Sequence, residues 1–471
     1  MTEKKAGAKK LGWLYDRKFY RHTLYIAVPI MIQNGITNFV SMLDNIMVGQ
    51  IGTTQMSGVS IVNQLLFVFN LMIFGGLAGI GIYTAQYAGK GDQEGIRITF
   101  RMKLILAAVL VAVGLIVFLT SGVRLASLWL SGGASKADLA ETLTAAHHYL
   151  LVMCIGLLPF ALSQVCADTL RELGETMTPM KAGLLAVAVN LIGNYILIYG
   201  KFGVPALGVV GAAIATVISR LAEASYLVIW LLRHSERFPF VHGIFSHFHI
   251  PLGLAKTISF RAFPLLLNET LWSLGQTVLS QQYSLRGLTA VAAFNISNTI
   301  ANVFNIAFIA MGSATAIILG QELGSGKTDT VKRDAHRLAF ISVVLCLFSG
   351  ALLFAISGLF PQIYNTSDQI RAVAAGLIRV SACFMPVYAY ENAAYFTLRS
   401  GGKTWITFFF DSCFVWAASL PLASILTHFT SLPIIPLFAL VQTADFIKMF
   451  IGFFMVRSGR WIHDLTEESQ T

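Results

Sequence analysis

Apolar segments of bilayer length recur along this chain from Leu24 to Met455, and they limit its fold more than any other feature. About twenty apolar residues in a helix cross the hydrocarbon core of a membrane. Lipid admits only helices or closed barrels, and these long runs lack the alternation over about ten residues that marks a barrel strand. The sequence therefore predicts an all-α polytopic membrane protein.

Composition supports this prediction, because 56% of the 471 residues are hydrophobic and 12% are charged, against about a quarter charged in soluble domains. The basic N-terminal segment shows no small-residue cleavage pattern, so we expect the first span to remain as an anchor. Polar, basic or Gly/Pro-rich breaks delimit twelve predicted transmembrane helices, at 24–45, 58–87, 104–121, 146–168, 180–199, 208–232, 262–284, 290–320, 337–358, 372–397, 405–428 and 434–456.

The net charge of +10 raises the question of a nucleic-acid partner, and the distribution of the basic residues answers it. With the N-terminus inside, about 25 of the Lys and Arg residues fall in cytoplasmic segments and about five in outer loops. This bias predicts an inner (cytoplasmic) membrane protein with both termini cytoplasmic, whose basic loops contact anionic lipid headgroups. No nucleic-acid partner is predicted.

The two halves of the chain repeat each other at an offset of 235 residues, as from Pro29 to Pro264. Over this alignment about twelve identities occur where composition predicts about five. Equivalent points lie six spans apart, so the halves should be related by an axis along the membrane normal. We predict two pseudo-symmetric six-helix lobes, 1–232 and 257–471, joined by a cytoplasmic linker at 233–256. The substrate is expected between the lobes near the bilayer midplane, with access alternating between the two sides.

A polar stripe follows the first span and predicts that this helix lines a polar path. Its predicted lining residues are Gln33, Asn34, Asn38 and Ser41, and Asp44 continues the stripe. Ionisable groups in lipid are costly, which makes Asp44 a functional candidate. Pro29 lies fifteen residues before Asp44, so we predict a hinge at Pro29 that moves the carboxylate.

The seventh span repeats this stripe in the second half of the chain. It carries Glu269, Ser273, Gln276 and Ser280. With Glu391 in the tenth span, the first three are predicted to bind a cation or substrate in the second lobe. The alternative for these carboxylates is that neighbouring amides merely hold them in place.

Asn190 and Asn194 are four residues apart on the fifth span and share a face, and Thr216 follows the small-residue run GAAIA on the sixth. Together with Asp44 they offer hard oxygen ligands for Na⁺, or a network that tunes a proton site. The alternative is that the amides only bridge helices.

Two charged pairs spaced three residues apart, Arg220 with Glu223 and Asp445 with Lys448, are predicted to neutralise each other on their own helices. Arg379 has no evident local partner.

The chain resembles the multidrug and toxic compound extrusion (MATE) family over nearly its whole length. Each motif is weak alone, but their order and spacing together are specific. They are LDNIMVGQIG, AQYAGKGD, NLIGNYILIYGKFGVPALGVVGAAIAT, PLLLNETLWSLGQ, GQELGSGK and KMFIGFFMVRSGRW.

The resemblance implies a MATE fold of twelve helices in two lobes that exports organic, often cationic compounds in exchange for H⁺ or Na⁺. Asp44 resembles the family's first-helix acidic residue, and Asn190, Asn194 and Thr216 resemble its partners in the N-lobe cation site. Glu269 resembles the seventh-helix acidic residue of the NorM-like branch. The tenth-helix Asp of that branch has no counterpart in register, since Glu391 lies nearby but is displaced.

Other classes of function make different demands on the sequence. A flippase for lipid-linked precursors should present a cationic cavity to phosphate groups, whereas these stripes carry amides and carboxylates. A membrane enzyme should show paired Asp motifs or HExxH, and neither is found. A channel would conduct without dependence on a counter-ion. We therefore expect a transporter without enzymatic activity or cofactor, coupled to H⁺ or Na⁺, for which a monomer suffices.

Overall fold

The computed structural model describes residues 16–127, 136–246 and 250–468, and helices dominate these ranges. No β-strand occurs within them. The twelve long helices are α1 (Arg17–Gly49), α2 (Thr53–Lys90), α3 (Gln93–Ser127), α4 (Lys136–Glu172), α5 (Met177–Tyr199), α6 (Gly208–Arg233), α7 (Leu252–Ser284), α8 (Leu288–Gly324), α9 (Thr328–Ile356), α10 (Asp368–Ser400), α11 (Thr404–Phe429) and α12 (Ile434–Ser458). Short elements lie at Pro239–Val241, Phe360–Ile363 and Leu465–Glu468.

Ten of these helices, α2–α6 and α8–α12, are long and apolar enough to cross a membrane. Large apolar side chains such as Ile116, Ile155 and Phe348 are 64%, 67% and 73% exposed. Contact with lipid explains such exposure, because acyl chains solvate apolar surfaces without the cost that water imposes. The predicted all-α membrane fold is confirmed.

The helices extend beyond the predicted spans. The third span was predicted at 104–121 and the helix runs from Gln93 to Ser127, and the fourth begins at Lys136 where 146 was predicted. Hydropathy marks only the part of a helix that lies in hydrocarbon, whereas backbone hydrogen bonding continues into the polar region. The number of long helices agrees with the prediction, and their bounds differ from it.

Gly91 and Gly326 occupy equivalent positions in the two repeated halves. The same backbone conformation explains why both are glycines. Gly91 caps α2 with φ of 78°, and Gly326 follows α8 with φ of 74°. Residues with a Cβ rarely adopt this left-handed conformation, which ends a helix by turning the chain back on its last carbonyls.

The described residues form two compact units, and the boundaries fall inside helices. Unit A comprises Ile32–Ser273; unit B comprises the chain up to Met31 together with the chain from Leu274 onward. Helix α1 is thus divided two residues after Pro29, and α7 is divided between Ser273 and Leu274. The N-terminal part of α1 packs into the core of unit B, where Ile26 and Ala27 join the cluster that contains Met311. The repeat places the lobes at 1–232 and 257–471, and this symmetry stays a prediction.

The linker after α6 is held onto α3 inside unit A. Arg101, 2% exposed, donates to the carbonyls of Gly243, Ile244 and Ser246 at 2.7, 2.8 and 2.9 Å. Arg97 donates to the Phe240 carbonyl at 3.1 Å. A buried guanidinium bonded to several carbonyls fixes this irregular backbone, whose carbonyl groups need such donors.

Candidate cation site

Helices α1, α5 and α6 bring the four predicted N-lobe residues together in unit A. Asn190 and Asn194 lie one turn apart on α5, while Asp44 comes from the end of α1 and Thr216 from α6. Small residues allow this approach, since a Cβ on Gly193 would lie 2.9 Å from the Ala215 side chain. The predicted close packing of α5 on α6 is confirmed.

Hydrogen bonds link all four side chains. The Asn194 amide nitrogen donates to Asp44 Oδ1 at 2.6 Å and to Asn190 Oδ1 at 3.2 Å. The Asn190 nitrogen donates to Thr216 Oγ1 at 3.2 Å, and the Thr216 hydroxyl donates to the Ala212 carbonyl at 3.0 Å. The carboxylate is therefore held in a network of neutral amide and hydroxyl groups.

The Asn190 amide fits this site in two orientations. With its oxygen toward Asp44, that atom accepts from Asn194 but also faces the two carboxylate oxygens; with its nitrogen there, it donates to the two carboxylate oxygens at 3.0 and 3.1 Å. In the second orientation the amide oxygen accepts from Thr216 at 3.2 Å. Hydrogen bonding alone selects between such orientations.

The two amide side chains of this site are buried, so their hydrogen bonding matters for stability. Asn190 and Asn194 are 5% and 1% exposed, and Asn194 Oδ1 has no hydrogen-bond partner among the described residues. A buried acceptor without a donor is costly. The site thus contains a carboxylate, a hydroxyl and an unsatisfied amide oxygen, which are groups that accept a proton or a hard cation.

Charged and aromatic neighbours surround this network. Arg220 on α6 pairs with Glu223 at 3.1 Å, as predicted, and its guanidinium lies 5.2 Å from the Phe160 ring centroid. Tyr149, 5% exposed, donates to Asn63 Oδ1 at 3.4 Å and lies within the electrostatic field of Asp44. Tyr149 was not predicted, because a single Tyr in an apolar span carries no positional signal.

The stripe residues of α1 have different environments. Gln33 Oε1 accepts from Arg171 at 2.9 Å, so this predicted cavity residue bonds to α4. Asn34 is half-buried and Asn38 is exposed. The side chain of Ser41 lies outside the described ones. Whether these residues line the substrate path stays a prediction.

The predicted second-lobe set is divided between the two units. Glu269 and Ser273 belong to unit A, whereas Gln276 and Glu391 belong to unit B. Glu269 packs on α2, since a Cβ on Gly75 would lie 2.9 Å from its Cγ. The division follows from the path of α7, which passes from one unit to the other between Ser273 and Leu274. The structure therefore does not join the four residues in one compact unit.

Lys448 pairs differently from the prediction. Its Nζ lies 2.8 Å from Asp411 Oδ1 on α11 and 3.8 Å from Glu391 Oε2 on α10, whereas the sequence spacing had indicated Asp445. The tertiary contacts of α12 with α10 and α11 override the local spacing. Asp411, which the sequence analysis missed, is the only acidic residue of its predicted span, and that isolation was an available signal.

Arg379, for which no partner was predicted, donates to the Ser357 hydroxyl at 3.1 Å. Its guanidinium lies 6.0 Å from the Phe354 ring centroid. A cation over an aromatic face gains electrostatic stabilisation, so both contacts tie α10 to the end of α9.

Known proteins place this architecture in one class, the multi-pass membrane transporters. Residues 29–196 and 264–440 match the family MatE, which covers most of the chain in two repeated blocks. The chain belongs to this family, and the resemblance drawn from the motifs is confirmed.

Named relatives span almost the same length. The chain is 24% identical to a probable multidrug resistance protein NorM of Thermotoga maritima, over 94% of this chain and 93% of the relative. It is 25% identical to the multidrug resistance protein MdtK of Pectobacterium atrosepticum, over 84% of this chain and 85% of the relative.

Solved structures share the fold. An outward-facing multidrug resistance MATE transporter of the MOP superfamily superposes with a TM-score of 0.83 at 19% identity, over 96% of this chain and 98% of that one. A MOP superfamily transporter from Pyrococcus furiosus gives 0.79 at 19% identity, over 93% and 95%.

Proposed function

We propose that this transporter is a cation-coupled antiporter that exports organic, mainly cationic compounds by alternating access. The hydrogen-bonded set of Asp44, Asn190, Asn194 and Thr216 is the observation that carries this proposal. Its location is the bacterial-type cytoplasmic membrane, with both termini inside, as the distribution of basic residues indicates.

The chemistry of the set supports cation binding. A single carboxylate hydrogen-bonded to a neutral amide attracts one positive charge, and the guanidinium of Arg220 forms its ion pair with Glu223, at 3.1 Å. A bound Na⁺ or H⁺ would neutralise the Asp44 carboxylate, and Na⁺ would give the buried Asn194 Oδ1 a positive partner.

The path of α1 supports coupling to conformational change. Asp44 lies in unit A and Ile26 packs in unit B, with the unit boundary two residues after Pro29. A Pro inside a helix removes one backbone hydrogen bond and permits bending at low cost. Ion binding at Asp44 therefore acts on a helix that both units hold. Coupling then requires that the ion and the substrate favour different states of the transporter.

The substrate class follows from the relatives and from the polar residues. NorM and MdtK are named multidrug resistance proteins. In unit A, Glu269 and the Asn34 amide are half-buried acidic and polar groups, which favour an organic cation over an anion. We therefore propose that the transporter exports small organic cations in exchange for H⁺ or Na⁺.

The test is efflux of a fluorescent organic cation from proteoliposomes under a pH gradient or a Na⁺ gradient imposed separately. We expect wild-type protein to respond to at least one gradient and Asp44→Asn to fall to the rate of empty liposomes. The matched control is Asp368→Asn, because the Asp368 side chain is 98% exposed at the start of α10.

Each outcome decides a separate part of the proposal. Wild-type efflux in Asp44→Asn, with normal reconstitution, contradicts the coupling site. A wild-type protein that ignores both gradients contradicts antiport itself. In that case, scrambling of a fluorescent lipid-linked phosphate in the same liposomes is the next measurement, because it identifies a flippase.

A further inference from the structure

Unit B contains a buried cluster of charged side chains that the proposed mechanism does not use. Three helices build it: α10 supplies Glu391, α11 supplies Asp411 and α12 supplies Lys448. Glu391 and Lys448 are 7% and 9% exposed. A Cβ on Gly452, one turn after Lys448, would lie 3.0 Å from the Ala394 side chain, so α12 approaches α10 closely here.

The charges in this cluster are not balanced. The Lys448 ammonium lies 2.8 Å from Asp411 and 3.8 Å from Glu391, and its Nζ also lies 5.4 Å from the Phe410 ring centroid. Asp445 lies one turn earlier on α12. Two carboxyl groups, those of Asp411 and Glu391, therefore share one ammonium group. Full ionisation would leave one negative charge without a counter-charge, which is strongly unfavourable at a buried position.

Glu391 has the weakest interactions of the ionised partners. Its Oε1 accepts no hydrogen bond within the described part of the chain, and its Oε2 is beyond hydrogen-bond distance of Lys448. The Tyr388 hydroxyl, one turn earlier on α10, accepts from the Gln442 amide nitrogen. A proton on Glu391 removes the least compensated charge and converts one oxygen into a donor.

The backbone around Asp411 is also unusual. Helix α11 has two π-helical turns, Phe409–Cys413 and Val415–Ser419, and the first carries Asp411. Such turns are rare and occur frequently at functional sites, because each inserts an extra residue that re-aims a side chain. Here the wide turn presents Asp411 to Lys448 across the helix interface.

We propose that this cluster is a second proton-binding site, in which Glu391 takes up H⁺ from solvent and Lys448 occupies the place of a metal cation. The ammonium repels an incoming Na⁺, whereas a proton binds covalently to a carboxylate oxygen and needs no vacant coordination sphere. The site in unit B is thus specific for H⁺, whichever ion binds at Asp44.

Proton occupancy is measured on the purified full-length protein by infrared difference spectroscopy over a pH titration. We expect Glu391→Gln to lose one protonated-carboxyl C=O band that wild type and Asp368→Asn retain. A band that is lost in Asp44→Asn is assigned to the carboxyl group of Asp44 in unit A. A Glu391→Gln spectrum that keeps every protonated-carboxyl band of wild type overturns the proposal.

The role of Lys448 is tested by a gain of sodium binding in the Asp44→Asn background, where the unit A site is neutral. We expect no Na⁺-dependent rise in Tm for Asp44→Asn, and a rise once Lys448→Met is added. With Lys448→Arg in place of Lys448→Met, we expect no Na⁺-dependent rise in Tm. Adding Glu391→Gln to the Asp44→Asn/Lys448→Met protein should abolish the rise in Tm that this protein shows.

Two results contradict this role. One is a folded Asp44→Asn/Lys448→Met protein without any Na⁺ response, and the other is a Na⁺ response that depends on Glu391 while Lys448 is intact. If the Lys448→Met protein does not fold, the infrared measurement decides alone. Neither test requires transport, so loss of the antiport proposal would leave this inference standing.

Discussion

The two polar sites of this transporter solve the problem of a buried carboxylate differently. In unit A, the hydrogen-bond donor to Asp44 is a neutral amide, that of Asn194 at 2.6 Å. In unit B, Asp411 and Glu391 are served by the ammonium of Lys448 at 2.8 and 3.8 Å. A neutral donor leaves the charge of its carboxylate in place, whereas the ammonium of Lys448 balances one of the two carboxylates beside it. The comparison teaches that the acidic residue type alone does not define such a site, because the charge of its partners differs.

The largest effect on stability should come from removing the internal ammonium. Lys448→Met leaves Asp411 and Glu391 buried without a cation, and we expect the free energy of unfolding to fall by about 3–5 kcal/mol. The double variant Asp411→Leu/Lys448→Met should recover much of this loss, because it also removes the carboxylate that Lys448 had neutralised.

Thermal denaturation of the purified proteins in one detergent measures both changes. A double variant no more stable than Lys448→Met would show that Asp411 is not the main partner of the ammonium. That result would weaken the contrast between the two sites.

A smaller effect is expected from the neutral site. Asn194→Leu removes the donor to Asp44 Oδ1, and losing one hydrogen bond to a charged group costs about 1.5–3 kcal/mol. Because an added ion can replace the lost donor, a saturating coupling ion should partly restore the Tm of this variant. A Tm that no ion changes, in a variant that otherwise folds, would contradict the role of Asn194 as an ion ligand.

The smallest effect is expected at Thr216. Thr216→Val keeps the shape and removes the hydroxyl, which costs about 0.5–1.5 kcal/mol, so half-maximal efflux should need up to about tenfold more coupling ion. Thr216→Ser should behave as wild type. Thr120→Val is the matched control, since the exposed Thr120 hydroxyl bonds only within α3, to the Ile116 carbonyl at 2.7 Å. If Thr216→Val and Thr120→Val change the coupling-ion concentration for half-maximal efflux equally, Thr216 is not an ion ligand.

The unit A site was predictable because its residues leave strong local signals. Asn190 and Asn194 are four residues apart in an apolar helix, and the small residues before Thr216 predicted that α6 packs closely on α5. The cluster in unit B was not predictable in the same way. Spacing indicated Asp445 as the partner of Lys448, and the contacts of α12 with α10 and α11 selected Asp411 and Glu391 instead.

The sequence by itself determined the all-α membrane fold, the number of long helices and the family, and it indicated four polar residues that the structure brings together in unit A. These properties follow from hydropathy and helical periodicity, which act over one or two turns. Only the tertiary structure decided that α1 and α7 are each divided between two compact units, that Glu269 and Glu391 belong to different ones, and that Lys448 serves Asp411. Such pairings depend on which helices pack together, and helix packing joins residues far apart in the chain that no local pattern relates.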